Sequence, residues 1–458
     1  MCKEKKNYQQ LFQICLLLLS PLWPHWVQAQ ATDTFTLDQC IDIALKNNKS
    51  IQNKRLDELI HQAKIAETKA DLYPQLTVNG NYQYYLNVPK SLVSSAIFGG
   101  PPSEFTYSEF QVAQSISASA DLSFQVYNPA ILAALKISKL SKDMSTVATK
   151  DKLEAVIYDV SATYLNIQIN ELQTDLTRSN IANLKKNVDL TTQLLNQGLA
   201  LPSDIDNLTV SVVNLETVLS NQLTGLKQLY YLLKIYMGLP PNYTLAIEKY
   251  KQKTTDFIPI PATDTTLYAT RNGYVALRQT GSLLQLQRNS IKAGALPVVN
   301  LIGSFGYNGL NTDLTLFKPY NSKWNPINLV QLNVSMPIFD GFKKRGQLAQ
   351  NKYQLLQNQN SLIDLKHTFQ MEQLNAVDLY NNYVQDLQYQ NKNMALANKL
   401  YTQKQLEYQN NSATLNDIIA VENTLKSAQA NYLNTLVRLH LAELDLKKAN
   451  GQLGVFGQ

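Results

Sequence analysis

The sequence predicts a mainly helical protein with a β-barrel part, built from two copies of one strand–strand–helix–helix unit. Three observations support this fold class: an internal duplication, four segments of alternating apolar and polar residues, and long segments without Gly or Pro. Of the 458 residues, 45% are hydrophobic, which excludes a fully disordered protein. The chain has only 17 Gly but 25 Tyr, a composition that favours long uninterrupted elements.

The N-terminus has the pattern of a secretory signal peptide. Three Lys residues precede an apolar run from Leu11 to Leu19, and Val27-Gln28-Ala29 provides the small residues that a signal peptidase reads. We therefore expect residues 1–29 to be removed, which leaves Cys40 and excludes an internal disulfide. Beyond residue 29 no apolar stretch of about 20 residues could form a transmembrane helix. Any membrane contact is then expected to use strands.

Charge and reactive side chains exclude several classes of function. The chain has 41 Lys and Arg against 35 Asp and Glu, spread without a basic block, so we expect no nucleic-acid partner. His61, His367, His440 and Cys40 lack metal-ligand spacing, so we expect no metal and no cofactor. No Ser/His/acid constellation lies near the predicted strands, which argues against an enzyme.

The internal duplication divides the chain. Residues 70–74 resemble residues 293–297 at a shift of 223, whereas residues 126–129 match residues 338–341 at a shift of 212. The difference places an insertion in a loop at about 88–112. We therefore divide the chain into a signal peptide, a first repeat, a Pro-rich linker, a second repeat and a C-terminal tail, at residues 1–29, 30–237, 238–263, 264–451 and 452–458.

Each repeat contains two alternating segments. We predict strands at about 74–88 and 112–127 in the first repeat, and at about 297–309 and 328–339 in the second. Strands of about 10 residues with one apolar and one polar face suit an outer-membrane barrel, with lipid outside and water inside. A soluble antiparallel sheet with one buried face would give the same pattern.

The remaining segments are predicted to be helical hairpins, at 129–237 and 341–450. Apolar residues recur at steps of three and four from Ser203 to Met237, which is typical of a coiled-coil seam. A helix of about 67 residues spans roughly 100 Å, and shorter helices stacked end to end match its length. We predict these shorter helices at Thr36–Leu72, Ser203–Met237, Asp264–Leu296 and Leu415–Asn450. Four strands cannot close a membrane barrel, because single-chain barrels start at eight, so several chains must contribute.

This arrangement resembles the TolC family of outer-membrane factors over essentially the whole mature chain, including Pro337-Ile338-Phe339-Asp340-Gly341 where a strand meets a helix. The resemblance implies a homotrimer in the bacterial outer membrane, with a large periplasmic part. Its twelve strands would form one barrel in outer-membrane lipid, continued by a twelve-helix periplasmic coiled-coil tunnel. The family implies a passive exit duct for drugs or secreted polypeptides. Its partners would be a periplasmic adaptor (membrane fusion) protein and an inner-membrane transporter.

The tips of the hairpins give the most specific local resemblance. The first tip contains Gly198, Leu199 and Ala200, followed by a hydroxyl residue and Asp. The second contains Asn411 and Ser412, with Asn where Gly is usual, and Asn also tolerates a left-handed backbone. The resemblance implies that both tips dock the adaptor.

The resemblance also implies a gate and a pore constriction near the tips. Ser203, Asp204 and Tyr408 match a periplasmic lock, but Ala413 stands where the family's best-known type has Arg. Asp417 matches the first of two constriction Asp residues, and Ala420 replaces the second. Alternatively, Asp204 and Asp417 are helix-start charges favoured by the macrodipole, and Tyr408 is a seam residue.

One other class of function remains. A periplasm-spanning scaffold or adhesin without conductance could use the same coiled coils, whereas the polar faces of all four strands favour a water-filled pore. The exported substrate is open, because a passive duct takes its specificity from the pump behind it.

Overall fold

The computed structural model describes residues 34–251, 258–261, 265–311, 324–410 and 412–453. The predicted signal peptide, the tip residue Asn411, the helix start Asp264 and residues 454–458 of the tail lie outside these ranges. The described helices are α1 Leu37–Asn47, α2 Lys49–Ala70, α3 Pro129–Asn196, α4 Pro202–Met237, α5 Asn272–Ala293, α6 Lys343–Gln409 and α7 Leu415–Ala449. The described strands are β1 Thr34–Phe35, β2 Gln75–Tyr84, β3 Lys90–Ser94, β4 Phe105–Glu109, β5 Gln114–Tyr127, β6 Ala246–Ile247, β7 Val298–Asn311 and β8 Trp324–Ser335.

The long strands form one antiparallel sheet in the order β2-β5-β7-β8. Its register keeps the apolar residues on one face: Leu76 lies opposite Leu122, Leu122 opposite Gly303, and Gly303 opposite Val330. Leu76 and Val330 are about 70% exposed. Strands β2 and β8 are the edges, and each pairs on one side only within the described chain. An exposed apolar face and two open edges are features that an isolated soluble sheet avoids.

The four helices next to the sheet lie in the order α2-α3-α5-α6, and the four far from it in the order α4-α3-α7-α6. Helices α3 and α6 have 68 and 67 residues and belong to both layers. At 1.5 Å per residue, each spans roughly 100 Å. Asn128 caps the start of α3, because its side chain accepts from the backbone N–H groups of Ala130 and Ile131, and Pro129 is the first helical residue.

The first helix is interrupted, whereas the sequence predicted one helix over Thr36–Leu72. Asn48 has an extended backbone, and its side chain accepts from Ser50 N and Ile51 N to cap α2. Its Nδ2 also donates to the carbonyl of Tyr236 at 2.7 Å. Gly238, with φ +69°, ends α4 so close by that a Cβ would lie 2.5 Å from Asn47 O. The break is therefore where the end of α4 docks.

Other boundaries also differ from prediction. Strand β8 runs over 324–335 rather than 328–339, since the backbone turns after Ser335 although Met336 and Ile338 continue the alternation. Helix α5 begins at Asn272 after a 3₁₀ turn at Thr265–Thr270. The predicted 88–112 loop contains the hairpin β3–β4 and a 3₁₀ turn at Ser95–Phe98.

The main hydrophobic core lies halfway along α3. Buried residues from α1, α3 and the end of α4 meet there, among them Cys40, Ile41, Val160, Ile167 and Met237. Parallel pairing of β1 with β6 places the linker beside this core. Among the described helices, none combines the length and the hydropathy that membrane crossing would require.

Candidate functional site at the hairpin tips

The first tip is a tight helix end followed at once by a new helix. The N–H of Gly198 donates to Leu195 O at 2.9 Å, and the N–H of Leu199 donates to Leu194 O at 2.8 Å. This is a Schellman motif, which needs a left-handed residue, and Gly198 has φ +74°. Leu199 is exposed and Ala200 is partly buried. The tip thus presents an apolar side chain to solvent from a rigid turn.

The second tip is closed by a reciprocal capping box. Thr414 Oγ1 accepts from Asp417 N at 3.3 Å, while Asp417 Oδ2 accepts from Thr414 N at 2.9 Å. On the other side of the turn, Ser412 N donates to Glu407 O at 2.7 Å. The Thr-x-x-Asp spacing is the signal that would have revealed this cap from sequence.

The two tips are joined by one hydrophobic cluster, which we call the tip cluster. Its buried members are Leu184, Leu194, Leu208, Val212, Tyr408, Leu415 and Ile418. Ala200 and Ala413 pack against it from the two turns. Ala413, where Arg would complete the lock of the best-known type, therefore contributes apolar packing instead of a charge.

Tyr408 is held by α3 in this structure. Its hydroxyl lies 2.9 Å from Thr191 Oγ1, and both side chains are buried. The hydrogen bonds described at the tips do not join Tyr408 to Asp204, so the predicted pairing is not formed here. Thr191 was missed from the sequence, although it lies on the same helix face as Leu184 and Leu194, the face that packs in the tip cluster.

Asp204 and Ser203 lie at the first turn of α4. Asp204 Oδ2 accepts from Leu201 N at 2.9 Å, so its carboxylate closes its own helix start. Ser203 is exposed. The capping interpretation of Asp204 therefore describes its geometry in the isolated chain.

Asp417 caps α7 and remains exposed. Hydrogen bonds from the backbone N–H and then the hydroxyl of Thr414 lower the pKa of this carboxyl below its ordinary value. The carboxylate is therefore charged at neutral pH. Ala420, one turn further along α7, is also exposed and provides no second acid.

A mostly buried polar layer adjoins the tip cluster, and its residues on α6 and α7 lie nearer the core. It consists of Asn187, Tyr401, Gln405, Glu422 and Lys426, contributed by α3, α6 and α7. Glu422 Oε1 lies 2.8 Å from Lys426 Nζ, and burial raises the pKa of Glu422. Gln405 Nε2 donates to Asn187 Oδ1 at 3.5 Å, and both Asn187 and Tyr401 are buried. A polar layer in an apolar seam fixes helix register at a cost in stability.

The fold and the tips together define a structural class, in which a four-stranded sheet continues into long helical hairpins. Residues 40–228, nearly the whole first repeat, match the family model described as outer membrane efflux protein. Among curated proteins, none matches the chain.

Solved outer-membrane channels have the same fold. The structure of CusC matches with a TM-score of 0.73 and 15% identity, over 90% of this chain and 91% of its own. CmeC of Campylobacter jejuni matches with a TM-score of 0.72 and 15% identity, over 91% and 85%. MtrE of Neisseria gonorrhoeae matches with a TM-score of 0.70 and 17% identity, over 91% and 89%. The predicted resemblance to the TolC family of outer-membrane factors is thereby confirmed.

Proposed function

We propose that this protein is the outer-membrane exit duct of a tripartite export system. It would conduct drugs or secreted polypeptides passively from a periplasmic adaptor and an inner-membrane transporter to the exterior. The observation that carries the proposal is the four-stranded sheet with an exposed apolar face and two open edges, continued by hairpins about 100 Å long.

The two open edges of the sheet support closure of a barrel from several chains. Pairing β2 of one chain with β8 of the next satisfies the unpaired backbone groups of both edges, as lipid requires. Three chains give a twelve-stranded barrel, within the range of outer-membrane barrels, whereas one chain has too few strands to span a bilayer. The apolar face would then contact lipid, and the opposite face, with Asn79, Ser119 and Asp121, would line the lumen.

The tips are proposed as the docking surface for the adaptor. They are the breaks in otherwise continuous described hairpins, and they lie at the end of the molecule farthest from the sheet. Gly198, Leu199, Ala200 and Ser412, with Asn411 beyond the described residues, are the residues that we propose to contact it. Ser203, Asp204 and Tyr408 are proposed to act at the gate, and Asp417 at the constriction.

Two measurements on the detergent-solubilised protein test this function. The mass of the complex should be that of a homotrimer, and a dimer or tetramer would overturn the architecture. In planar bilayers the complex should form discrete conducting pores. A trimer that never conducts would instead support the second candidate, a periplasm-spanning scaffold or adhesin, which coiled coils alone would permit.

A further inference from the structure

Four segments connect the helices to the sheet, at residues 64–73, 128–139, 288–297 and 336–345. We call them the collar. They contain nine Lys and Arg against three Asp and Glu, a net charge of +6 that equals the net charge of the whole chain. In the sequence this charge is dispersed. The strand register places the start of β2, the end of β5, the start of β7 and the end of β8 at one end of the sheet, so folding collects it there.

The same pair of residues recurs at all four junctions. An exposed large apolar side chain lies next to the sheet, and an exposed cation follows four residues farther into the helix. The pairs are Tyr73 with Lys69, Leu132 with Lys136, Leu296 with Lys292, and Phe339 with Lys343. Leu132 and Lys136 both lie in α3, where four residues make about one helical turn and place the cation roughly 6 Å deeper than its apolar partner. In the other three pairs the cation lies in the helix and the apolar residue lies just outside it, on the side of the sheet.

The junction before α6 is built to expose aromatic rings. Phe342 has a left-handed backbone, with φ +64°, the one described residue other than Gly that does so. Its ring and that of Phe339 meet edge to face at 5.5 Å, and they are 66% and 75% exposed. A bulky residue in this conformation is strained, and such strain is found mainly at functional positions.

Most collar cations have no acidic partner in the part of the chain that the structure describes. Among the described residues, ion pairs bind Lys64 to Glu67 and Lys344 to Asp340. The cations for which the described chain provides no ion pair are Lys69, Lys136, Lys139, Arg288, Lys292, Lys343 and Arg345. Their charge is therefore available to an external anion.

Among the described residues, the net positive charge lies at one end of the sheet. Strands β2, β5, β7 and β8 contain a single charged residue, Asp121. Residues 85–113, at the opposite end, contain one Lys and two Glu. The sequence of layers is an apolar sheet face, then exposed aromatic and aliphatic side chains, then cations. A phospholipid leaflet has the matching sequence of hydrocarbon, interface and phosphate.

We propose that the collar binds the anionic head groups of glycerophospholipids in the leaflet on the helix side of the sheet. This inference rests on the proposed function, because it requires the sheet to span a membrane. A Lys or Arg near a membrane surface enriches anionic lipid severalfold. An acidic protein is the less suitable partner, because it would leave the apolar member of each pair in water.

The test compares two variants of matched charge in the full-length complex. The collar variant carries Lys136→Gln, Lys139→Gln, Lys292→Gln and Lys343→Gln. The control variant carries the same change at Lys186, Lys227, Lys392 and Lys399, which are exposed on the hairpins. Each purified complex is equilibrated with mixed micelles of phosphatidylglycerol and phosphatidylcholine, and the bound lipids are counted by native mass spectrometry.

We expect the wild type and the control to bind phosphatidylglycerol in excess, and the collar variant to lose that excess at least about threefold. If the collar variant fails to assemble, the wild type is measured at 1 M salt instead. There the Debye length is about 3 Å, so the excess of bound phosphatidylglycerol must fall. An undiminished excess in the collar variant, or at high salt, would overturn the proposal. So would loss of adaptor binding with unchanged lipid binding, which would indicate an acidic protein surface.

Conductance of the same preparations separates the proposed channel function from the proposed lipid binding. A non-conducting complex that keeps its lipid preference contradicts only the proposed channel.

Discussion

The hydroxyl of Tyr408 lies 2.9 Å from Oγ1 of Thr191, and this pair joins the two hairpins of one chain inside the tip cluster. Thr191 is fully buried and Tyr408 is 6% exposed, so water cannot replace either partner. The tip cluster and this hydrogen bond hold the second hairpin against the first just above the tips. Any opening that separates the hairpins must break it.

We expect Tyr408→Phe and Thr191→Val each to lower the local opening free energy of the tips by about 1 kcal/mol, because each leaves a buried partner unpaired. The double variant should cost less than the sum, with a coupling of about 1 kcal/mol. Hydrogen exchange of the tip amides in the assembled protein measures these values. If Tyr408→Phe shows a coupling free energy with Asp204→Asn and none with Thr191→Val, the lock implied by the family resemblance is formed after assembly.

Any side chain at Gly198 should destabilise the first tip, although the residue is surrounded by space. A Cβ there would meet nothing within 4 Å, so the whole cost comes from φ +74°. Gly198→Ala should destabilise the first tip by about 1 kcal/mol, and Gly198→Val by more and with impaired export. Gly225→Ala is the matched control, because Gly225 also has open space but lies inside α4. We expect the control to be neutral or stabilising, and equal effects at the two positions would contradict the argument.

The sequence predicted Gly198 but not the partner of Tyr408, and the difference is physical. The sequence signal for a helix end with a left-handed residue lies in adjacent residues, so it can be recognised locally. The contact of Tyr408 with Thr191 depends on how α3 and α6 rotate against each other, and no local pattern encodes that rotation. The break at Asn48 was missed for the same reason, because the hydrogen bond from Asn48 to the carbonyl of Tyr236 joins residues that are far apart in sequence. The end of β8 was missed because the alternation of apolar and polar residues continues through Met336 and Ile338, whereas the strand ends at Ser335.

The β3–β4 hairpin should face the cell exterior, since it projects from the end of the sheet opposite the collar. An epitope tag inserted at Ser103, in the exposed turn between the strands, should be detected on intact cells. Ser94 is a poorer position, because it pairs with Phe105 and its hydroxyl donates to Pro102 O. Detection only after permeabilisation, with export intact, would reverse the orientation.

The polar layer should make the hairpins sensitive to pH. Burial raises the pKa of Glu422 above its ordinary value of 4.5, so the folded state holds this proton more tightly than the unfolded state does. The contribution of Glu422 to stability is therefore fully present below pH 4.5 and decreases as pH rises through the raised folded-state pKa. Glu422→Gln should remove this decrease.

Thermal unfolding of the detergent-solubilised protein from pH 4 to pH 8 measures the effect. Glu216→Gln is the control, because Glu216 forms an exposed ion pair with Lys185 at 2.7 Å. The control should keep the slope of the wild type. A slope that survives Glu422→Gln would assign the pH dependence to other groups.

Asp417 combines a structural and an electrostatic role, and the two can be separated. In a homotrimer, three Asp417 carboxylates would surround a narrow axis, and a constriction of low dielectric strengthens their attraction for cations. The hydrogen bonds of Thr414 lower the pKa of Asp417, which favours the charged form of each carboxyl. Asp417→Asn removes the charge but keeps an oxygen that can accept from Thr414 N. Thr414→Ala removes the hydroxyl half of the capping box, at a cost of about 1 kcal/mol, and keeps the charge.

We expect Asp417→Asn to reduce cation selectivity, measured as the single-channel reversal potential under a salt gradient, and Thr414→Ala to leave it unchanged. Because Ala420 and Ala413 replace the second acid and the Arg of the best-known type, block by cations should be weak and opening easy. Identical reversal potentials in the wild type and Asp417→Asn would mean that this carboxylate only caps α7.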